Sequence, residues 1–269
     1  MKAAKIILLI AISAVNCTYT KPLEFPKIKT LSQIPSNPNL RLSSYPYLSG
    51  DTFRSFCDFI IDKTYRLIDP DTIKDGDTIF VTNCTKFLDF FFKHVHPKIK
   101  STYILITHNG DLSDQQPYLK NLEDDKIIAW FGQNLTLEHK KAFPIPIGLA
   151  NRYWKYGNIN IISKAIKSVP STKKILLHTG GLATHTNPEK RLPVVNMFQN
   201  KSFCYNPSGK PFQKYLFDLA NSKFVLSPEG NGIDCHRTWE ALLMGAFPIV
   251  KTSYLDVLYE EKDLVDRCA

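Results

Sequence analysis

The sequence predicts an α/β protein of two domains, each built around a parallel β-sheet. After residue 50, short apolar runs rich in β-branched and aromatic residues alternate with stretches of helical spacing. This alternation is typical of parallel sheets whose strands are joined by crossover helices. A proline-bearing apolar segment, Phe143–Gly148, separates two such series, so we place the domain boundary there.

The first 17 residues have the pattern of a secretory signal peptide. A cationic start, Met1–Lys5, precedes an unbroken apolar stretch, Ile6–Val15. This stretch is shorter than the roughly 20 residues that span a bilayer, which favours a cleaved peptide over a signal-anchor with membrane association. We expect a location in the secretory pathway, that is secreted, periplasmic, or in the ER or Golgi lumen. Residues 18–50, with their prolines and serines, predict an extended lead-in.

The first domain is predicted over residues 51–148. Apolar residues at helical spacing predict a helix over Thr52–Leu67, with Asp51 as its N-cap. The further predicted elements are a strand at Thr78–Val81, a helix at Lys86–His94, and strands at Tyr103–Thr107 and Ile127–Phe131. All three strands are β-branched or aromatic, as expected of a buried sheet.

Two of these strands end at polar residues that are candidates for binding and catalysis. His108, Asn109 and Asp111 follow one strand, and Gln133 and Asn134 follow the next. Ligands of doubly wound sheets bind beyond the carboxyl ends of the strands. His108 or Asp111 has the chemistry of a general base. The alternative reading is structural, with a turn at Asn109–Asp111 and His108 ending the strand.

The second domain is predicted over residues 149–269. Its elements are a helix at Ile161–Val169, a strand at Lys174–His178, a helix from Pro188 and a helix at Gln213–Asn221. A βαβ unit follows, with a strand at Phe224–Ser227, a helix capped by Asp234 and closed by Gly245, and a strand at Phe247–Val250. A last helix is predicted over Lys251–Tyr259.

The helix after Asp234 carries three ionisable side chains on one face. His236 and Arg237 precede Glu240 by four and three residues, so the three lie together. The glycines of the preceding loop, Gly230 and Gly232, allow a ligand to approach the backbone, and free N–H groups at a helix start suit a phosphate. Arg237 adds a charged donor fork, and Glu240 is placed to accept from ribose hydroxyls. A solvated helix face beside an ordinary glycine turn is the alternative.

The loop and helix around these residues read Ser227-Pro-Glu-Gly-Asn-Gly-Ile-Asp-Cys-His-Arg-Thr-Trp-Glu-Ala-Leu242, and Pro248–Val250 and Leu255–Tyr259 follow. Together these segments resemble the donor-binding segment of exostosin-like glycosyltransferases. The resemblance implies a GT-B-like fold of two Rossmann-like domains, with the nucleotide sugar bound by the C-terminal one and the acceptor mostly by the N-terminal one. It places Arg237 on the donor diphosphate and Glu240 on the ribose. The other donor-binding candidates are Ser227, Glu229, Gly230, Asn231, Gly232 and His236.

A second segment adds another cation to this set. Thr186–Arg191 is similar to the first C-terminal loop of the family, where an arginine approaches the phosphates, which makes Arg191 a donor-binding candidate. An exposed arginine at a helix start is the alternative. After Tyr259 the sequence departs from the family, in which an apolar strand and a closing helix follow. We therefore expect a C-terminal domain that is truncated relative to that of the family.

The resemblance implies an inverting glycosyltransferase that moves a hexosyl or glycuronosyl group from a nucleotide-diphosphate sugar, UDP- or GDP-linked, to a carbohydrate acceptor. Without a DxD motif after a strand, we expect no metal, and no cofactor beyond the donor itself. One alternative is an inactive secreted module of the same fold that binds a nucleotide or sugar. Another is a non-enzymatic structural or interaction protein.

Composition and charge exclude several classes of protein and partner. With 43% hydrophobic and 22% charged residues, the chain has the makeup of a folded protein rather than a disordered one. Its net charge of +9 comes from lysines spread along the sequence rather than from a dense basic run, so we expect no nucleic-acid partner. The six cysteines are scattered without a CxxC pair, which argues against zinc and against a disulfide scaffold.

Overall fold

A computed structural model describes residues 41–64 and 68–259, and these form two compact units. The first unit contains the described residues up to Pro146 together with Tyr254–Tyr259, and the second is Ile147–Ser253. The boundary lies two residues before the predicted one, and residues 254–259, predicted in the second domain, belong to the first unit. The predicted signal peptide, residues 18–40 of the lead-in and residues 260–269 lie outside the described ranges.

The first unit is built on a five-stranded sheet in which every pairing is parallel. Its strands, in both chain and spatial order, are β1 Phe59–Ile61, β2 Asp77–Thr82, β3 Tyr103–His108, β4 Ile127–Gln133 and β5 Ala142–Ile145. Three of them match the predicted strands, and β5 uses part of the proline-bearing crossover. The prediction of an α/β fold with parallel sheets is confirmed.

Helices cover both faces of this sheet because its strands are apolar on both sides. Helix α1, Gly50–Phe56, packs Phe53 against Ile104 and Phe131. On the opposite face lies α2, Thr85–Phe90, which continues as a π-helical turn over Phe91–Val95. Short 3₁₀ segments lie at Pro70–Thr72, His96–Lys98, Gln116–Glu123 and Asp256–Leu258.

The predicted helix over Thr52–Leu67 is wrong in its second half and at its N-cap. The chain leaves the helix after Phe56, and Phe59–Ile61 pairs with Ile79–Val81 as β1. Two adjacent isoleucines suit a pleated strand better than an isolated helix end. Ser49, not Asp51, is the N-cap, since its Oγ accepts the Thr52 N–H. Residues 65–67 lie outside the described ranges.

A buried ion network fixes the start of the first unit. Arg54 Nε lies 2.8 Å from Asp62 Oδ2, and Arg41 Nε lies 2.9 Å from Asp51 Oδ1. All four side chains are less than a tenth exposed. The Asp51 carboxylate therefore binds Arg41 and does not accept the N–H groups of the helix start, which explains why Asp51 is not the cap.

The second unit contains a four-stranded parallel sheet. Its strands are β6 Ile175–His178, β7 Cys204–Tyr205, β8 Ser222–Leu226 and β9 Phe247–Ile249, in the spatial order β7-β6-β8-β9. The helices are α3 Ile159–Ile166, α4 Pro188–Phe198, α5 Phe212–Ala220 and α6 His236–Leu243. Two-residue β7 was not predicted, and the helix predicted over Lys251–Tyr259 is reduced to the single turn at Asp256–Leu258.

Candidate functional site

The strand order of the second unit creates a topological switch point between β6 and β8. After β6 the chain moves outward to β7, and it then returns to place β8 on the other side of β6. Connections that leave two neighbouring strands in opposite directions open a crevice at the carboxyl ends of those strands, where ligands of such folds bind. At this switch point, His178 lies at the end of β6 and a loop follows Leu226 at the end of β8.

Arg237, in the first turn of α6, is held at this switch point by groups from both strands. Its Nε donates to the carbonyl of Leu226, 2.8 Å away, and its Nη2 lies 3.0 Å from His178 Nδ1. The guanidinium also lies over the ring of Tyr215, 5.6 Å from its centroid. The guanidinium also hydrogen-bonds the Tyr215 hydroxyl, so two of its five N–H groups remain beyond these three contacts. Arg237 lies in the first turn of the helix, and its contact with a donor phosphate stays a prediction.

Glycines leave room beside both candidate arginines. A Cβ at Gly181 would lie 3.7 Å from Arg237 Nη1, and the φ of this residue is +73°. A Cβ at Gly230 would lie 3.0 Å from Arg191 Nη2. The two loops therefore bring bare backbone next to guanidinium groups, an arrangement that suits an anion approaching both.

Arg191 holds the loops together. Its Nε donates to the carbonyl of Glu229 at 2.9 Å, and its Nη1 donates to that of Ala183 at 2.8 Å. The N-cap of α4, Asn187, donates to the carbonyl of Gly230 at 2.8 Å. Arg191 therefore lies next to the loop of Glu229 and Gly230, but two of its N–H groups are already hydrogen-bonded to backbone carbonyls.

Glu240 lies inside the unit rather than at its surface. Its Oε2 accepts a hydrogen bond from the Tyr215 hydroxyl at 2.8 Å. Burial raises the pKa of this carboxyl, and the charges of His236 and Arg237 oppose the rise. Burial and the Glu240 charge in turn raise the pKa of the Tyr215 hydroxyl. The predicted ribose contact requires that a ligand reach this buried pair, and it stays a prediction.

The remaining donor candidates divide into supporting and exposed residues. Ser227 is buried, with its Oγ 2.9 Å from Thr238 Oγ1, which ties the end of β8 to α6. His236 Nδ1 lies 2.8 Å from the carbonyl of Gly148. The other positions lie in the loop itself: Glu229 is 3.4 Å from Lys190 Nζ, Gly232 accepts the Gly230 N–H at 3.0 Å, and Asn231 is exposed.

Asp234 is not the N-cap of α6, which corrects the sequence prediction. The N-cap is Cys235, without a side-chain hydrogen bond to the helix. The Asp234 carboxylate instead accepts from Trp239 Nε1 at 2.8 Å and from the Ile147 N–H at 2.7 Å. Burial raises its pKa to about 6. The carboxylate thus fastens the first residue of the unit to α6.

In the first unit, polar residues at the ends of β3 and β4 meet as predicted. The backbone N–H of Asn109 donates to Gln133 Oε1 at 3.0 Å, and Asn109 Nδ2 donates to Asp51 Oδ1 at 3.1 Å. Asn83, at the end of β2, donates to the carbonyl of Gln133 at 2.9 Å. The cluster is largely buried and joined by its own hydrogen bonds, so the structure assigns it at least a scaffolding role.

The two candidate catalytic residues have different surroundings. His108 is buried and stacks on Phe53 with ring centroids 5.3 Å apart. Its Nδ1 accepts the Asn109 N–H at 2.7 Å, and its Nε2 lies 3.2 Å from the carbonyl of Pro146. Both ring nitrogens are thereby engaged within the protein. Asp111 is exposed in the loop after β3.

Sequence reasoning missed His178, Tyr215 and Asn83 as members of these clusters. His178 and Asn83 each follow the rule that was applied to His108, since each is a polar residue at the carboxyl end of a strand. His178 is fully buried beside Arg237, and the Gly180–Gly181 pair that follows it was the available signal. Tyr215 was predicted as core, and nothing in helical spacing reveals that its hydroxyl contacts Glu240.

No protein-family model and no curated protein matches this chain. Within residues 41–64 and 68–259, no group of three or more His, Cys, Asp or Glu side chains could hold a metal ion. The four cysteines of these ranges are free thiols. None of the helices described there is long and apolar enough to cross a membrane.

Proposed function

We propose that the protein is an exostosin-like, GT-B-like inverting glycosyltransferase that transfers a sugar from a UDP- or GDP-linked donor to a carbohydrate acceptor. The observation that carries the proposal is the setting of Arg237. It lies at the switch point of a parallel sheet, in the first turn of a helix, with two N–H groups beyond those bound by Leu226, His178 and Tyr215.

Sugar transfer leaves a nucleoside diphosphate whose new charge must be stabilised. Arg237 supplies a permanent positive charge, and the start of α6 supplies backbone N–H groups and the positive end of the helix dipole. Because Leu226 and His178 fix the guanidinium before ligand arrives, little reorganisation is needed as charge develops. The loops that contain Gly181 and Gly230 allow a diphosphate to approach the backbone, and Arg191 lies beside Gly230.

Donor turnover tests the proposal. Purified protein is incubated with UDP- and GDP-sugars, with and without oligosaccharide acceptors, and released UDP or GDP is measured. We expect release by the wild type and a loss of at least about a hundredfold in Arg237→Ala, because a bidentate charged contact is removed. Lys223→Ala, which removes an exposed charge from β8, is the control. Equal turnover in wild type and Arg237→Ala would contradict the proposal.

One observation favours a second candidate, a module of the same fold that binds a nucleotide or sugar without chemistry. His108, a candidate base, has both ring nitrogens engaged with neighbouring backbone. A base needs a nitrogen lone pair that can reach the acceptor hydroxyl. Binding of UDP or GDP without release from any donor sugar would support this alternative, whereas acceptor-dependent release would exclude it.

A further inference from the structure

His178 ends β6 with its imidazole fully buried. Its Nδ1 lies 3.0 Å from Arg237 Nη2. A guanidinium has only donors, so Nδ1 must accept this hydrogen bond with its lone pair. The ring proton of the neutral imidazole therefore resides on Nε2. One contact thus fixes both the orientation of Arg237 and the tautomer of His178.

The other ring nitrogen is unsatisfied. His178 Nε2 is buried and has no hydrogen-bond partner among the described residues. Buried polar groups in folded proteins are nearly always hydrogen-bonded, and an exception calls for a functional reason. Protonation of the ring does not relieve it, because burial and the charges of Arg237 and Lys210 lower its pKa to about 3. At neutral pH the group is an N–H donor without an acceptor.

The surroundings of the ring lie on the candidate ligand side of the sheet. His178 contacts the rings of Tyr205 and Tyr215 edge-on, with centroids 5.7 and 6.1 Å apart. Tyr215 in turn contacts Arg237 and donates to Glu240. The unsatisfied donor therefore lies among the side chains of the carboxyl edge of β6, next to the switch point.

We propose that His178 is a ligand-binding residue whose Nε2–H donates a hydrogen bond to an oxygen of a bound nucleoside diphosphate, while Nδ1 holds Arg237 in place. The inference rests on the proposed function and adds a second contact to it. A purely structural histidine, with Nε2–H directed at a tyrosine ring, is the competing explanation.

Two variants separate the two nitrogens. In His178→Asn the amide oxygen can take the place of Nδ1 and accept from Arg237, but the Nε2 donor is lost. In His178→Gln the longer amide can restore a donor near Nε2. We expect UDP affinity, measured by calorimetry, to fall about tenfold to a hundredfold in His178→Asn and to recover in part in His178→Gln. A purely structural histidine predicts equal affinities for wild type and His178→Asn.

A spectroscopic readout on the wild type does not depend on either variant. The full chain is labelled with ¹⁵N-histidine, and the His178 ring signals are identified by their loss in His178→Asn or His178→Gln. We expect the Nε2–H signal to shift when UDP or GDP is added at neutral pH. If the signal does not move and His178→Asn binds UDP as tightly as the wild type, the inference about His178 is overturned. The proposed function still stands in that case, provided that Arg237→Ala loses UDP binding. Absence of any nucleotide binding to the wild type overturns both.

Discussion

Replacement of Asp234 by asparagine should change how the stability of the second unit depends on pH. The buried carboxylate accepts from Ile147, Cys235 and Trp239, and burial raises its pKa from 3.8 to about 6. The folded state therefore holds this proton more tightly than the unfolded chain does. The resulting stability is fully present below about pH 3.8 and is lost as pH rises through about 6, a change of about 3 kcal/mol in the free energy of unfolding.

Asparagine cannot ionise, so Asp234→Asn should lack this component. Urea unfolding, followed by tryptophan fluorescence between pH 4 and pH 8, gives the free energy of unfolding for each protein. We expect the difference between wild type and variant to move by about 2.5 kcal/mol in favour of the variant over this range, because at pH 4 the component is not yet fully present. Glu189→Gln, at an exposed position in the same unit, serves as the control. Parallel pH profiles for wild type and Asp234→Asn would refute the reasoning.

Two further substitutions test the packing of each unit. Asp62→Ala leaves Arg54 buried without its 2.8 Å partner. In urea unfolding, the free energy of unfolding of the first unit should fall by about 3 to 5 kcal/mol. A loss under about 1 kcal/mol would contradict a buried ion pair. Gly181→Ala and Gly209→Ala both replace a glycine at positive φ, so each should lower the free energy of unfolding by about 1 kcal/mol. Only Gly181→Ala places a methyl group beside Arg237, so only this variant should weaken UDP binding several-fold. Equal UDP affinities in the two variants would show that the loop does not border the ligand.

The strands of both sheets were largely predictable because their signal is local. Runs such as Tyr103–His108 and Ile127–Gln133 are β-branched or aromatic and end at polar residues, and parallel pairing aligns those ends. The two-residue strand β7 has no such run. It is a strand only because it pairs with Leu177 and His178, and single-sequence patterns do not report pairing.

Capping and helix length were less predictable because distant partners decide them. Asp51 and Asp234 both precede apolar helical runs and both were read as caps, yet each carboxylate has a stronger partner elsewhere. Asp51 binds Arg41, and Asp234 binds Trp239 and the Ile147 N–H, 87 residues away. A buried carboxylate takes the donors that tertiary structure brings to it, and sequence spacing does not identify them.

For the candidate site, sequence identified Arg237 but not the groups that orient it. Spacing within one helix places His236, Arg237 and Glu240 on a face, and this much follows from 3.6-residue periodicity. The contacts of His178 and Tyr215 with that face come from another strand and another helix. They depend on the strand order β7-β6-β8-β9, and local sequence patterns do not specify strand order.

The proposed function requires that a nucleoside diphosphate bind at the switch point between β6 and β8 through Arg237. Isothermal titration of UDP and of GDP into the full chain and into Arg237→Ala measures this binding, with thermal unfolding to verify that the variant is folded. We expect measurable binding of at least one nucleotide to the wild type and a loss of at least about a hundredfold in the variant. Absence of binding to the wild type, or equal affinity in folded Arg237→Ala, would contradict the claim.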